Sequence, residues 1–227
     1  MRVRQAIASA DAVITSIAVG LPATIRYKGK DVSTGIFKSP VSGRVGVALT
    51  NIEGDRQADL AVHGGRDKAV YAYPQCHYDY WAQMLGRGPL EASQFGENLT
   101  VTGLDESSVV IGDRYRAGSV EMVIAQPRLP CFKLGIRVGD DTFPQRFLMS
   151  GRLGFYLRVE QQGEFAAGDT IELLDRPEHG ITVRDLWQTV FDRGNARVEA
   201  SRCLDLLAHI DDGWVRRLRK TIERGRS

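Results

Sequence analysis

Glycine followed by aspartate recurs at Gly54, Gly112, Gly139 and Gly168, and this punctuation limits the fold more than any other feature of the chain. Glycine supplies positive φ, and an aspartate carboxylate can bond its own backbone two residues on, so each dipeptide reads as a turn. Short runs with strand-like alternation lie between and around them, at residues 13–19, 44–49, 154–161 and 170–174. The clearest hairpin is expected over residues 108–126. It has a strand near 109–111, a turn at Gly112-Asp113, a strand at 114–116, a turn at Ala117-Gly118, and a strand at 119–125 with Val120, Met122 and Ile124 on one face. Turns so closely spaced imply a mainly β protein, a barrel or closed sheet with a few peripheral helices, rather than alternating βα units. Those helices are expected at 75–85, where Tyr78, Trp81, Ala82 and Leu85 share a face, at 132–138, and at 141–149, with Pro144 in the first turn.

The pattern changes near Pro177. Thr182 precedes Asp185 by three residues and opens an apolar helical run, a capping signature. Two more helical stretches are expected at 196–210 and along the stripe Trp214, Leu218 and Ile222. The chain is therefore read as a barrel domain over 1–176 and a three-helix domain over 177–227. No apolar run is long enough to cross a bilayer, and residues 1–12 lack a secretory core. A net charge of +2 does not by itself argue for a nucleic-acid partner. Cys76, Cys131 and Cys203 are widely spread, without CxxC spacing, which argues against a disulfide scaffold or zinc site and for a reducing cytoplasm.

Four runs could carry chemistry. In Gln126-Pro127-Arg128-Leu129-Pro130-Cys131-Phe132-Lys133, two prolines hold Cys131 on a stiff, extended exit between two cations. The plain alternative is a packed structural cysteine. In His63-Gly64-Gly65-Arg66-Asp67-Lys68, paired glycines can present successive N–H groups to an anion, with His63, Arg66 and Lys68 adding a proton donor and charge; an ordinary Gly-Gly turn is the alternative. Residues 28–40 hold Lys28, Lys30 and Lys38 with Ser33, Thr34 and Ser39, a set that suits a phosphate, although composition alone favours a solvated loop. Glu97 and Asn98 sit between apolar neighbours and need partners, first as a loop-fixing network and then as ligand contacts. Arg216, Arg217, Arg219, Lys220, Arg224 and Arg226 make the last helix basic, a docking face or a solvated one. Cys76 and His77 are neighbours on a helical stretch, where adjacent side chains diverge, and Cys203 is read as packing.

Taken in order, these runs resemble the MOSC family, the domain shared with the C-terminal part of molybdenum-cofactor sulfurases, and its YiiM-type branch in particular. The carrying residues run from Asp31 through Thr34, Lys38 and Pro40, then Glu53-Gly54-Asp55-Arg56, then His63-Gly64-Gly65 to Tyr71. They continue through Phe95-Gly96-Glu97-Asn98, Ile111-Gly112-Asp113, Gln126 to Leu134, and Gly180 to Asp185. The resemblance covers nearly the whole chain. It implies a MOSC-type β-barrel, a molybdenum cofactor (a pterin dithiolene carrying Mo) and Cys131 as the Mo ligand. A soft thiolate suits such a centre. From charge and glycine content, the cofactor would be held by Lys28, Thr34, Lys38, His63, Gly64, Gly65, Arg66, Asn98 and Arg128. The implied activity is reduction of small N-hydroxylated compounds, hydroxylaminopurine-type included, to amines, a detoxifying reaction. His63 would be the proton donor, with Asp59 and Asp67 as orienting groups. No dinucleotide fingerprint is present, so electrons would come from a separate reductase docking on the basic tail. Two other readings stay open: a sulfur carrier with a persulfide on Cys131, and a binding module using the basic tail on nucleic acid.

Overall fold

The computed structural model describes residues 12–58, 64–196, 198–206 and 209–225. Its centre is an eight-stranded sheet. In chain order it uses β1 (Val13–Val19), β4 (Ser39–Val41), β6 (Val70–Pro74), β7 (Leu99–Thr102), β8 (Arg114–Ala117), β9 (Val120–Pro127), β10 (Phe155–Gln161) and β12 (Ile171–Asp175). In space the order is β12-β8-β9-β10-β6-β7-β1-β4. Two strand pairs flank it: β2 (Ala23–Tyr27) with β3 (Lys30–Thr34), and β5 (Arg44–Val47) with β11 (Gly163–Ala166).

All ladders are antiparallel except β6 with β7. A parallel pair needs a crossover, and helix α1 (Tyr78–Leu85) lies within it. The sheet curls until Ile14 N–H donates to the Asp169 carbonyl at 3.0 Å and Ile171 N–H to the Ala12 carbonyl at 2.7 Å. The expected barrel is thus a curled sheet with a short seam, without a continuous β1–β12 ladder among the described residues.

Strand β6 shows how the core is divided. Val70 and Ala72 point into the curl, against Ile14, Ile17, Leu99 and Phe155. Tyr71 and Tyr73 point the other way, into a cluster with Trp81, Phe95, Phe143 and Phe147, following the two-residue period of a strand. This second cluster seats α1, α2 (Phe132–Val138) and α3 (Phe143–Ser150) on the outside of the sheet. Its rings pack edge-to-face and stacked, for example Trp81 with Phe143 at 4.9 Å, an arrangement that adds to plain burial.

Beyond residue 176, α4 (Val183–Phe191) opens on the expected capping box. Thr182 Oγ1 accepts from Asp185 N–H at 3.0 Å, and Asp185 Oδ2 accepts from Thr182 N–H at 2.9 Å. Of the stretch 196–210, Arg202–Leu206 forms a short 3-10 turn, and α5 (Asp212–Gly225) ends the described chain. Leu186, Cys203, Trp214 and Leu218 are fully buried in the sheet's own core cluster. No helix among the described residues is long and apolar enough to cross a membrane.

Three local expectations need correction. Residues 109–111 are not a strand; they lie in a turn held by buried Asp113, whose Oδ2 accepts from Val110 N–H at 2.8 Å, with one isolated bridge from Val110 to Thr182. The hairpin therefore turns at Gly118 alone, between β8 and β9. Residues 28–40 are not a loop but mostly ladder, β2 pairing with β3 across a turn in which Lys28 and Gly29 both have positive φ (48° and 78°), as tight hairpins require.

Candidate functional site

One cleft gathers much of what the sequence singled out: Thr34, Lys38, Asn98, Arg128 and Cys131 all line it. Each arrives from a different element. Thr34 ends β3, Lys38 lies just before β4, Asn98 just before β7, and Arg128 follows β9. Cys131 is the N-cap of α2, in an extended conformation at φ −125° and ψ 174°. The two prolines do what the sequence predicts, since they end β9 and bring the thiol to the cleft before the helix begins.

The floor is a buried polar network. Lys38 Nζ is bonded to Asp55 Oδ1, with both side chains almost fully enclosed. Asp55 also accepts from Gly20 N–H at 2.9 Å and from Asn98 Nδ2 at 3.0 Å. Asn98 Oδ1 accepts from Tyr71 N–H at 3.1 Å. Asn98 therefore works mainly as a clamp that ties β1, β6 and Asp55 together. Burial pulls the Lys38 pKa down against the opposing pull of Asp55. Beside it, Glu97 is fully buried, and its carboxylate accepts from Ser93 and Phe95 N–H, each at 3.0 Å, and from the Tyr78 hydroxyl. Burial raises the Glu97 pKa while these donors oppose the rise. Glu97 is thus a loop-fixing group, as the first of the two sequence readings has it.

Arg128 is the unusual member. Its side chain is buried, with a guanidinium N–H donating to the Phe95 carbonyl at 3.1 Å and to the Tyr71 hydroxyl at 3.3 Å. It lies 4.8 Å above the Tyr71 ring. No carboxylate pairs with it among the described residues. A buried cation is costly unless it is hydrogen-bonded, and here the Phe95 carbonyl and the Tyr71 hydroxyl and ring supply its partners. Among the described residues the lining holds Lys38, Arg56, Lys68, Arg128 and Lys133 with one carboxylate, Asp55; Lys38 is paired to that carboxylate and Lys68 to Asp211 at 2.8 Å. The cleft is rich in cationic side chains and has a thiol at its edge.

A second cavity adjoins the first and shares Lys68, Cys131 and Tyr156 with it. Its far wall is the start of α5, including Trp214, Arg216 and Arg217. The C-terminal segment also holds the thiol's loop in place. Trp214 Nε1 donates to the Pro127 carbonyl at 3.0 Å, and Asp211 N–H to Gln126 Oε1 at 2.7 Å. Cys131 stands where the two cavities meet.

The other expected residues lie elsewhere. Lys28 is exposed at the hairpin tip and ion-paired to Asp141 at 2.6 Å, outside both cavities. Gly64 lines the second cavity only, while Gly65 and Arg66 are exposed and line neither. Asp67 is paired to Arg158, 2.7 Å away. His63 and Asp59 lie outside the described residues. Sequence reasoning missed Tyr71 and Tyr156, whose rings line the cleft, because apolar-looking strands carry no signal of a site. It also missed Lys68 as a shared wall of both cavities, although the residue stood in a run already marked as basic. The Cys76 reading is corrected too. Gln75–His77 is a 3-10 turn, and Cys76 Sγ lies 3.7 Å from His77 Nδ1.

Comparison with known proteins agrees with this picture. The family model for the MOSC domain matches residues 59–172. YflK of Bacillus subtilis strain 168 is 44% identical over 171 residues, covering 75% of this chain and 77% of its own. YiiM of Escherichia coli K12 is 34% identical over 191 residues, covering 82% and 83%. A protein of Gibberella moniliformis named "Reductase" is 36% identical over 181 residues; these are 78% of this chain but 32% of that longer protein. The crystal structure of YiiM from Geobacillus stearothermophilus superposes with a TM-score of 0.74 at 32% identity, over 93% of this chain and 99% of that one. With the curled sheet, the cationic cleft and these relatives together, the chain belongs to the MOSC domain family and, within it, to the YiiM type.

Proposed function

We propose that this protein is a molybdenum-cofactor-dependent reductase of small N-hydroxylated compounds, hydroxylaminopurine-type substrates among them, with electrons from a separate reductase. The observation that carries the reading is Arg128, buried and ion-paired to no carboxylate among the described residues, in a cleft rich in cations with the Cys131 thiol at its edge. This donor set fits the cofactor: the pterin phosphate and dithiolene are anionic, and a soft thiolate suits molybdenum. The naming of a fungal relative as a reductase points the same way.

In this reading Cys131 is the metal ligand and the catalytic thiolate. Arg128, Lys38 and Thr34 hold the anionic part of the cofactor, and Asn98 keeps Lys38 and Asp55 in register. Gly64 extends the binding surface along the second cavity, Gly65 and Arg66 drop out because they are exposed and line neither cavity, and His63 is assigned the role of proton donor from its chemistry. Lys28 is left out, because its ammonium is engaged by Asp141. When bound, the cofactor supplies the two-electron reduction of the N–O bond. The protein's part is to hold it, keep the cleft cationic and place a proton source beside the substrate. Residues 1–176 form the cofactor domain. Residues 177–227 form a helical domain that braces the Cys131 loop and presents Arg216, Arg217 and Arg219 to the reductase.

The test is turnover of an N-hydroxylated purine by protein expressed in a host with intact molybdenum-cofactor synthesis, with a chemical reductant as electron donor. Amine product from the wild type and none from Cys131→Ser is expected. Equal product from both, or none from wild type that carries the cofactor, overturns the reading.

A further inference from the structure

A second thiol sits in a relay of its own, away from the cleft. Cys76 is exposed at the end of β6, in the Gln75–His77 turn. Its Sγ lies 3.7 Å from His77 Nδ1, and His77 Nε2 lies 2.7 Å from Glu106 Oε2. Glu106 is buried, and its other oxygen accepts from Gly154 N–H at 2.6 Å. The imidazole is further fixed by the Tyr73 ring, edge-on at 5.7 Å. Thiol, imidazole and locked carboxylate thus stand in line, the order in which a nucleophile, its base and the base's orienting group are arranged in enzymes. None of the three lines either cavity of the site above, so the proposed reductase chemistry leaves the relay unused.

We infer that the Cys76–His77–Glu106 relay makes Cys76 a site of covalent modification by low-molecular-weight disulfides of the glutathione class. The thiol is exposed and lies outside both cavities described above, so the geometry favours modification over catalysis. The exchange balances without another oxidant. The Cys76 sulfur attacks one sulfur of the disulfide, the old S–S bond breaks as the new one forms, and the second thiol leaves carrying the proton released from Cys76. Burial by itself lowers the His77 pKa, but bonds to Cys76 and Glu106 outweigh it and push it up to about 9. Held by Glu106, the imidazole stays within hydrogen-bond reach of the attacking sulfur. Cys203 is fully buried and offers no competing site.

The experiment treats the reduced full chain with oxidised glutathione at pH 7, quenches with acid and assigns adducts by peptide mass spectrometry. The expected result is that Cys76 is modified first, about tenfold faster than a free cysteine thiol under the same conditions, and that His77→Gln removes this advantage. Cys76→Ser abolishes the fast adduct and serves as the assignment control. Circular dichroism establishes that His77→Gln is folded, and the comparison with free cysteine stands on wild type alone if it is not. A Cys76 rate no higher than that of the free thiol, or an unchanged rate in folded His77→Gln, overturns the inference. So does first modification at Cys131.

Discussion

Replacing Lys38 by methionine leaves the Asp55 carboxylate as an unpaired charge in the floor of the cleft. Asp55 is only 2% exposed, so water cannot take the lysine's place. Breaking a buried ion pair from one side costs about 3–5 kcal/mol. Asp55 keeps two donors, Gly20 N–H at 2.9 Å and Asn98 Nδ2 at 3.0 Å, which places the expected loss near the lower end, about 3 kcal/mol. Adding Asp55→Asn to Lys38→Met removes the orphaned charge, and the new side chain still accepts from Gly20. The double variant is therefore expected to be more stable than the sum of the single losses by about 2 kcal/mol. Urea unfolding followed by fluorescence of Trp81, Trp187 and Trp214 measures all four corners of the cycle. A loss below about 1 kcal/mol for Lys38→Met, or strict additivity, would refute the claim that this pair is buried and coupled.

Two further outcomes follow from other parts of the structure. Gly154 has φ +66°, and a Cβ there would approach the Tyr71 and Tyr73 rings to 2.9 Å and meet the Ala72 carbonyl; Gly154→Ala is expected to cost about 3 kcal/mol, read as a fall in Tm. His77, bonded to Cys76 and Glu106, ties stability to pH. With the His77 pKa raised from 6.5 to about 9, its contribution is complete below about pH 6.5 and is lost as pH rises through 9. That loss is on the order of 3 kcal/mol, and a urea series from pH 6 to pH 9.5 showing no such fall, or the same fall in Glu106→Gln, would be contrary to it.

What the sequence made legible and what it hid divide along physical lines. Strands with one wet face, such as β8 and β10, announce themselves by alternation, and the Thr182–Asp185 capping box by its side-chain chemistry. Strand β6 hid because both its faces are buried: Val-Tyr-Ala-Tyr-Pro is a continuous apolar run with no period to read. The β2–β3 hairpin hid because its residues are polar and partly solvated on both sides, so composition suggested a loop; only the backbone at Lys28-Gly29 marks the turn. The cleft was partly legible. Cys131 and Arg128 stood out by local stiffness and charge, and Lys38 by its basic run. Lys28, in the same run, points to Asp141 instead, because a β-hairpin sends its tip away from the strand ends that build the cleft. Charge in a sequence is additive, whereas its placement depends on the ladder register. The His77–Glu106 pair spans 29 residues, and no local pattern carries a contact of that kind.

The measurement that bears most directly on the central claim is molybdenum content, by inductively coupled plasma mass spectrometry, of wild type and Cys131→Ala. Both are expressed in a host with intact molybdenum-cofactor synthesis and checked for folding. The account predicts near-stoichiometric molybdenum in the wild type and its loss in the variant. Molybdenum absent from both, or retained equally by both, would contradict it.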